Sequence, residues 1–204
     1  NLARRFAVPA AGDGWNAYRR LRELNPAPFA GFLATPHGQV LSSSPERFLA
    51  VRDGRVETRP IKGTRPRGES AAGDLALRAD LLSSEKDRAE NLMIVDLIRN
   101  DLGRIAEFGS VEVQELFSIE AYRTVWQMTS EVSAHLRSDV SLVDVFSALF
   151  PCGSVTGAPK ARSMEIIDGL ESEARGVYCG AIGFIPPGNG RDGASFNVAI
   201  RTVV

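Results

Sequence analysis

Cysteine is scarce in this 204-residue chain, with only Cys152 and Cys179 present. Two such residues make no disulfide framework, and their spacing is not that of a metal knuckle. Neither sign of charge dominates, since 24 Lys and Arg stand against 25 Asp and Glu. That balance excludes a general nucleic-acid or polyanion surface, although a local cluster can still hold a small anion. Long hydrophobic runs are missing, so nothing reads as a bilayer span. Asn1-Leu2-Ala3-Arg4-Arg5-Phe6 lacks the apolar core of a signal peptide. There is no internal repeat and no low-complexity tract. What is present is 44% hydrophobic content, enough for one sizeable core or two small ones. The default reading is a soluble cytoplasmic protein.

Glycine and proline punctuate the rest. A short helix over 14–24 stops before Asn25-Pro26-Ala27-Pro28. Strands over 31–35 and 39–43 form a hairpin around Pro36-His37-Gly38. A second hairpin turns at Asp53-Gly54, which suits positive φ, between 47–51 and 55–58. Pro60 is expected to end its pairing. Residues 65–74 read as a mobile polar loop, followed by helices over 75–82 and about 85–105. Strands are expected over 111–113 and 124–136, a helix over 142–149, and another starting near Pro159. The last unit reads as a hairpin, 176–185 with 195–204, around a Gly- and Pro-rich loop. Antiparallel pairs with helices between the sets give an α+β class. Both ends read as cut, because a bare strand at each terminus would leave unpaired edges.

Five segments could carry chemistry. Lys62, in Pro60-Ile61-Lys62-Gly63-Thr64, leaves a hairpin where Gly63 permits close backbone approach. It reads as a solvated charge, an anion binder or, once desolvated, a nucleophile. Asp87, Glu90, Ile94 and Leu97 share one helix face. The two carboxylates could offer hard oxygen ligands to Mg²⁺; alternatively Ser84-x-x-Asp87 is a cap and Glu90 pairs with Lys86. Gly153-Ser154-Val155-Thr156-Gly157-Ala158-Pro159-Lys160 runs a loop into a helix start, which Thr156 or Gly157 can cap and whose free N–H groups favour an anion. It lacks the Gly-Lys-[Ser/Thr] of a phosphate loop, so a carboxylate fits better than a nucleotide; an ordinary capped helix fits as well. In the final strand, Asn197, Ala199, Arg201 and Val203 are expected on one face, leaving room for Arg201 to grip a carboxylate. Glu46, in Ser44-Pro45-Glu46-Arg47, adds a carboxylate near Lys62, although a lone Glu before a strand is usually solvated.

In this order, the segments resemble the chorismate-utilising enzymes. The likeness covers Asn1 to Phe6, Asn25 to Phe29, Ser43 to Phe48, Pro60 to Gly68, Asp87 to Arg104, Pro151 to Leu170, Val177 to Phe184 and Ile200-Arg201-Thr202. It implies a chorismate-binding α+β fold, with antiparallel sheets flanking a helical layer, of which 1–204 is a partial catalytic domain. Lysine at position 62 is what the resemblance ties to the branch that aminates chorismate to 4-amino-4-deoxychorismate for 4-aminobenzoate and folate synthesis; anthranilate-forming relatives carry alanine there. On that resemblance Lys62 is a nucleophile toward the ring and Glu46 a proton carrier. Glu90 is a Mg²⁺ ligand supported by Asp87, and Tyr178 and Arg201 hold the enolpyruvyl carboxylate. Gly63, Thr64, Ser154, Thr156 and Gly157 line the pocket, with Lys160 adding positive potential.

The same resemblance implies a glutamine amidotransferase subunit or domain as ammonia source, because Cys152, Cys179, His37 and His135 match no glutaminase arrangement. Two features depart from the family. Gln127 stands where many relatives have histidine, and glutamine cannot shuttle protons at neutral pH. The glycine-rich carboxylate loop and second pair of metal glutamates that normally follow the Arg201 strand are not in this sequence. Anthranilate synthesis is the nearest rival activity, isochorismate or salicylate synthesis a further one. A non-catalytic chorismate-binding or regulatory protein is the rival of another class.

Overall fold

The computed structural model describes residues 1–3, 6–187 and 193–204. Arg4 and Arg5, and residues 188–192 of the loop expected in the last hairpin, lie outside the described residues. Helix α1 (Gly14–Leu24) is followed by β1 (Phe29–Thr35), β2 (Gly38–Ser44), β3 (Arg47–Arg52), β4 (Arg55–Arg59) and β5 (Ile61–Pro66). Next come helices α2 (Ala71–Ser83) and α3 (Glu85–Gly103), then strands β6 (Glu112–Ala121) and β7 (Val125–His135). Helices α4 (Leu142–Leu149), the single turn α5 (Gly153–Thr156) and α6 (Lys160–Leu170) precede β8 (Ala181–Phe184), β9 (Ala194–Val198) and β10 (Thr202–Val203).

Local chemistry explains the boundaries. Asp13 caps α1 by accepting from the Asn16 N–H at 3.0 Å. Ser84 ends α2 and its hydroxyl then accepts from Asp87 N to start α3. Ser141 and Asp144 form a reciprocal capping box on α4. Asp53 and Gly54 both have positive φ, 50° and 73°, as a two-residue turn between β3 and β4 requires.

All strand pairs are antiparallel. A three-stranded sheet has the order β1-β2-β10; a seven-stranded sheet runs β5-β7-β4-β3-β9-β8, with β6 on β7. The larger sheet buries Leu49, Val51, Val56, Val132 and Val198 with Ile94, Val95, Ile98 and Leu102 of α3 and Val145 and Leu149 of α4. A smaller cluster joins Leu81 of α2 to Trp126 and Met128. No single helix is long and apolar enough to cross a membrane among the described residues.

Four expectations are corrected. Pairing does not end at Pro60: β4 and β5 are successive parts of one edge of β7, and Pro60 only breaks the run, its carbonyl still accepting from Ser130 N at 3.2 Å. Proline removes a donor but keeps its acceptor. Second, most of the expected loop over 65–74 is regular, and what remains is tied down. Arg67 Nε donates to Asp74 Oδ1 at 2.8 Å, Trp126 Nε1 donates to the same oxygen at 2.9 Å, and Arg67 lies 4.4 Å over the Trp126 ring. The Arg67 guanidinium holds the Asp74 carboxyl well below the usual carboxylate range.

Third, neither Thr156 nor Gly157 caps the helix carrying Met164. Pro159 is its N-cap residue with no side-chain bond, and the Thr156 hydroxyl turns back to Cys152 O at 3.1 Å. Fourth, the last strand is two: β9 ends at Val198, Arg201 has φ 51°, and β10 joins β2 in the other sheet. Arg201 therefore does not share a strand face with Asn197 and Ala199. At the other end, residues 1–3 form no strand.

Candidate active site

Strand β5 is bent where the chemistry is expected. Its register against β7 shifts between Ile61 and Thr64, which leaves Lys62 and Gly63 out of the regular ladder. Gly63 has φ 95°, and a Cβ there would lie 2.9 Å from Leu81 Cδ1 and 3.0 Å from Asp87 Cβ. Only glycine lets the strand press so close to the α2–α3 junction. Beside it Lys62 is half-buried, and its Nζ donates to the Ser154 carbonyl at 2.9 Å.

Glu46 enters from the link between β2 and β3. Its backbone is fixed on both sides: its N–H donates to Ser44 Oγ at 3.2 Å, and its carbonyl accepts from Val198 N at 3.0 Å. Ser44 Oγ in turn donates to Val198 O at 2.6 Å. The Glu46 side chain is only 3% exposed, not solvated, and its Oε1 has no hydrogen-bond partner. Burial pushes its carboxyl up to about 7, against the opposing pull of the Ser154 hydroxyl, the Ile61 N–H and the Lys62 charge. A carboxyl at that value can both take and give a proton near neutrality.

Helix α5 joins this pair to a second space. Gly153 packs so closely on α3 that a Cβ would meet Leu97 Cδ2 at 2.6 Å. One end of the turn presents Ser154 to Lys62; its other end, Val155 and Thr156, lines a cavity of about 750 Å³ with Phe150, Met164, Arg175 and Tyr178. Gly157 has φ 134°, and a Cβ would meet Ser163 Oγ at 2.9 Å. Tyr178 is partly exposed at that cavity, its phenol pushed up by burial. The Cys179 N–H donates to Ala199 O at 2.9 Å, which sets this segment beside the approach to Arg201.

The structure therefore brings Glu46, Lys62, Ser154 and Gly63 together and sets Thr156 and Tyr178 on one cavity. Others lie differently. Thr64 is exposed, opposite Gln127 in the β5–β7 register. Arg201 is exposed at the crossing between the sheets. The charge expected from Lys160 is already engaged: its Nζ donates to Asp101 Oδ2 at 2.7 Å and Leu149 O at 2.8 Å, tying α6 to α3 and α4.

For the acidic pair, Asp87 lies behind Gly63 and faces Arg65 Nη1 at 3.1 Å, so its carboxylate is occupied. Glu90 pairs with Lys86 at 3.3 Å, and its side chain is 42% exposed. No group of three or more His, Cys, Asp or Glu able to hold a metal exists among the described residues. Mg²⁺ needs no such group when substrate oxygens complete its shell. The present partner of Glu90 is a solvent-exposed lysine, whereas Asp87 is engaged by Arg65.

One residue, Asp101, was missed in the sequence, and another, Gln127, was read there without its environment. Asp101 is revealed by its pairing with Lys160, which sequence spacing across 59 positions does not signal. Gln127, noted only as a departure, is 2% exposed with Oε1 unpartnered.

An amine and a buried carboxyl meet at one helical turn beside a cavity, an arrangement suited to chemistry on a small molecule. The family profile described as chorismate binding enzyme matches residues 1–204, and the chain belongs to that family. It is 51% identical over its whole length to the aminodeoxychorismate synthase of Streptomyces pristinaespiralis, of which it spans 28%. It is 47% identical to anthranilate synthase component 1 of Aquifex aeolicus (strain VF5), covering 100% of this chain and 40% of that one. The crystal structure of anthranilate synthase component I from Streptococcus pneumoniae TIGR4 aligns with TM-score 0.83 and 40% identity, over 95% of this chain and 42% of that chain. The expected fold class and family are thus borne out.

Proposed function

We propose that the polypeptide carrying this chain aminates chorismate at C4 to give 4-amino-4-deoxychorismate. The observation that carries this reading is the buried Glu46 carboxyl, poised at about 7, against Lys62 and Ser154. The Lys62 ammonium passes a proton to the Glu46 carboxylate, and the freed amine attacks the ring and forms a C–N bond while the C4 hydroxyl departs; Glu46 delivers that same proton to make it water. Ammonia then attacks C4, the lysine leaves, and the surplus proton returns to Glu46. Two easier substitutions replace one difficult one. The cavity by Thr156 and Tyr178 supports a place for the enolpyruvyl carboxylate, with Arg201 two residues beyond the Ala199 carbonyl that the Cys179 N–H meets. Gln127 supports a product that keeps this group, because an amide cannot relay a proton.

Glu90 would hold Mg²⁺, with substrate and water oxygens completing the shell. The ion would neutralise the ring carboxylate and fix the ring. Ammonia would come from a glutamine amidotransferase, a reading supported by the word component in relatives' names. It is also supported by the two cysteines: both are buried, and burial pushes the Cys152 thiol up to about 12, unlike a glutaminase nucleophile. Free thiols also fit the cytoplasm.

Anthranilate synthesis is the second reading, supported by the 47% relative. Identities of 51% and 47% do not separate the two; the lysine at position 62 favours amination. The test is turnover of chorismate with ammonium by the complete polypeptide, with the product identified by mass and ultraviolet spectrum. Anthranilate as product would replace the proposal with the second reading, and no turnover would favour the non-catalytic one.

A further inference from the structure

Cys152 is unused in the chemistry above, yet it stands at the centre of the site. It is buried at the head of α5, and its Sγ lies 3.2 Å from Ser154 Oγ. Burial first, then the nearby Glu46 charge, raises its thiol to about 12, so it stays S–H at neutral pH. A protonated thiol beside a hydroxyl can donate to it, and the hydroxyl can then turn its own hydrogen toward Glu46. The Cys152–Ser154 contact can carry its hydrogen in either sense; with the thiol as donor, the Ser154 hydroxyl is free to turn its hydrogen to the nearby Glu46 carboxyl, whose ionised form it favours. Meanwhile the Ser154 carbonyl accepts from Lys62 Nζ at 2.9 Å. One residue therefore bonds Lys62 through its carbonyl and faces Glu46 through its hydroxyl.

We infer that Ser154, oriented by the Cys152 thiol, is a positioning residue that sets Lys62 and Glu46 as one unit. The inference rests on the roles proposed above for those two residues. The backbone is built to hold it still, since Gly153 is wedged on Leu97 and Thr156 Oγ1 closes the turn on Cys152 O at 3.1 Å. The groups facing Glu46 are Lys62 and the Ile61 N–H from β5 and Cys152 and Ser154 from the head of α5. Lys160 lies behind Cys152, with its charge met by Asp101 of α3.

The test uses the complete polypeptide without substrate. The carbon-13 carboxyl titration of Glu46, assigned by its loss in Glu46→Gln, is compared in the native protein, Ser154→Ala, Ser154→Thr and Cys152→Ala. Losing the hydroxyl removes a bond to the ionised carboxyl, so Ser154→Ala should move the midpoint upward by about half to one pH unit. Ser154→Thr keeps a hydroxyl and should restore it, and Cys152→Ala should move it the same way by less. An unmoved midpoint in Ser154→Ala, or no restoration by Thr, overturns the inference. If Ser154→Ala does not fold, Cys152→Ala decides, and an unmoved midpoint there overturns it too. A Ser154-dependent midpoint in a protein that never turns over chorismate would sink the proposed function and leave the positioning of Glu46 standing. Turnover with an unmoved midpoint would sink the positioning alone.

Discussion

Glu46 and Glu90 are both carboxylates singled out for chemistry, and they are held in opposite ways. Glu46 is fixed by backbone bonds on both sides and loses almost all solvent; its carboxyl sits far from its ordinary value. Glu90 is a helix-surface residue with a lysine four positions away and 42% of its side chain open. The same division separates Lys62, held by Ser154, from Arg201, which is exposed where the chain crosses between sheets. On the proposed mechanism, the groups that act on a bond are preset by the protein, and the groups that would grip substrate or metal are left free to complete their contacts when the ligand arrives. Presetting is costly, since it strands a titratable group away from water. Openness costs little, but it fixes nothing in advance.

Lys62 gives the sharpest way to break this comparison. Lys62→Ala in the complete polypeptide should lower amination on the order of 10³-fold, about 4 kcal/mol of transition-state stabilisation. Residual direct attack by ammonia remains because the pocket still orients the ring. Lys62→Arg should fail as well, since a guanidinium stays protonated. With chorismate present and ammonia withheld, intact-protein mass spectrometry should show a covalent adduct on the native lysine. Rescue by arginine together with no adduct would return Lys62 to a mere anion binder, and the preset cluster would lose its purpose.

Glu46→Gln separates function from stability. Activity should fall about 10²-fold or more, the usual range for loss of a proton carrier. Stability should move the other way with pH. The folded carboxyl titrates at about 7 against an ordinary 4.5, so between those values the folded state binds more protons than the unfolded one. Native stability therefore falls as pH rises through that window, and the loss is complete above the folded value. Glutamine carries no charge and escapes this loss. The variant should match the native protein near pH 4 and exceed it by up to about 3 kcal/mol near pH 8, read by denaturant melts. Equal pH dependence in the two proteins would mean that Glu46 is not buried in this way.

What the sequence made legible follows from the range of each signal. The Asp53-Gly54 turn, α4 and the close approach at Gly63 were readable because caps, turns and glycine act within a few residues. The division of β4 from β5 was half readable: Pro60 marked the break, but only the partner strand β7 shows that pairing resumes. Arg201 was misplaced because alternation along 195–204 looks the same whether a strand stays in one sheet or moves to another. Glu46 was legible as a residue but not as an environment. Its burial is made by Ser154 and Val198, more than 100 positions away, and no local pattern reports that.

Gly63→Ala probes the backbone beneath the preset cluster. A side chain at φ 95° is strained, and its Cβ would press on Leu81 and Asp87 at 2.9 and 3.0 Å, inside van der Waals contact. Destabilisation of about 1–3 kcal/mol is expected. Because β5 would have to shift, amination should fall further than stability alone explains, measured as kcat at a temperature where the variant is fully folded. A variant that is fully active when folded would show that the bend in β5 does not position Lys62.

Glu90→Gln tests the open side and should have the smallest effect on the fold. Its ion pair with Lys86 is an exposed i,i+4 contact, so stability should change by less than about 0.5 kcal/mol. The site it shares with substrate should suffer more. Removing one charged oxygen from a shell completed mainly by substrate and water should raise the Mg²⁺ needed for half-maximal turnover by about tenfold, or about 1.4 kcal/mol. Adduct formation at Lys62 should persist at saturating Mg²⁺, because Glu46 and Ser154 are untouched. Unchanged Mg²⁺ dependence would remove Glu90 from the metal role and leave Lys86 as its only partner. Loss of the adduct at saturating Mg²⁺ would show that the two regions are not independent, and the division between preset and open groups would fail.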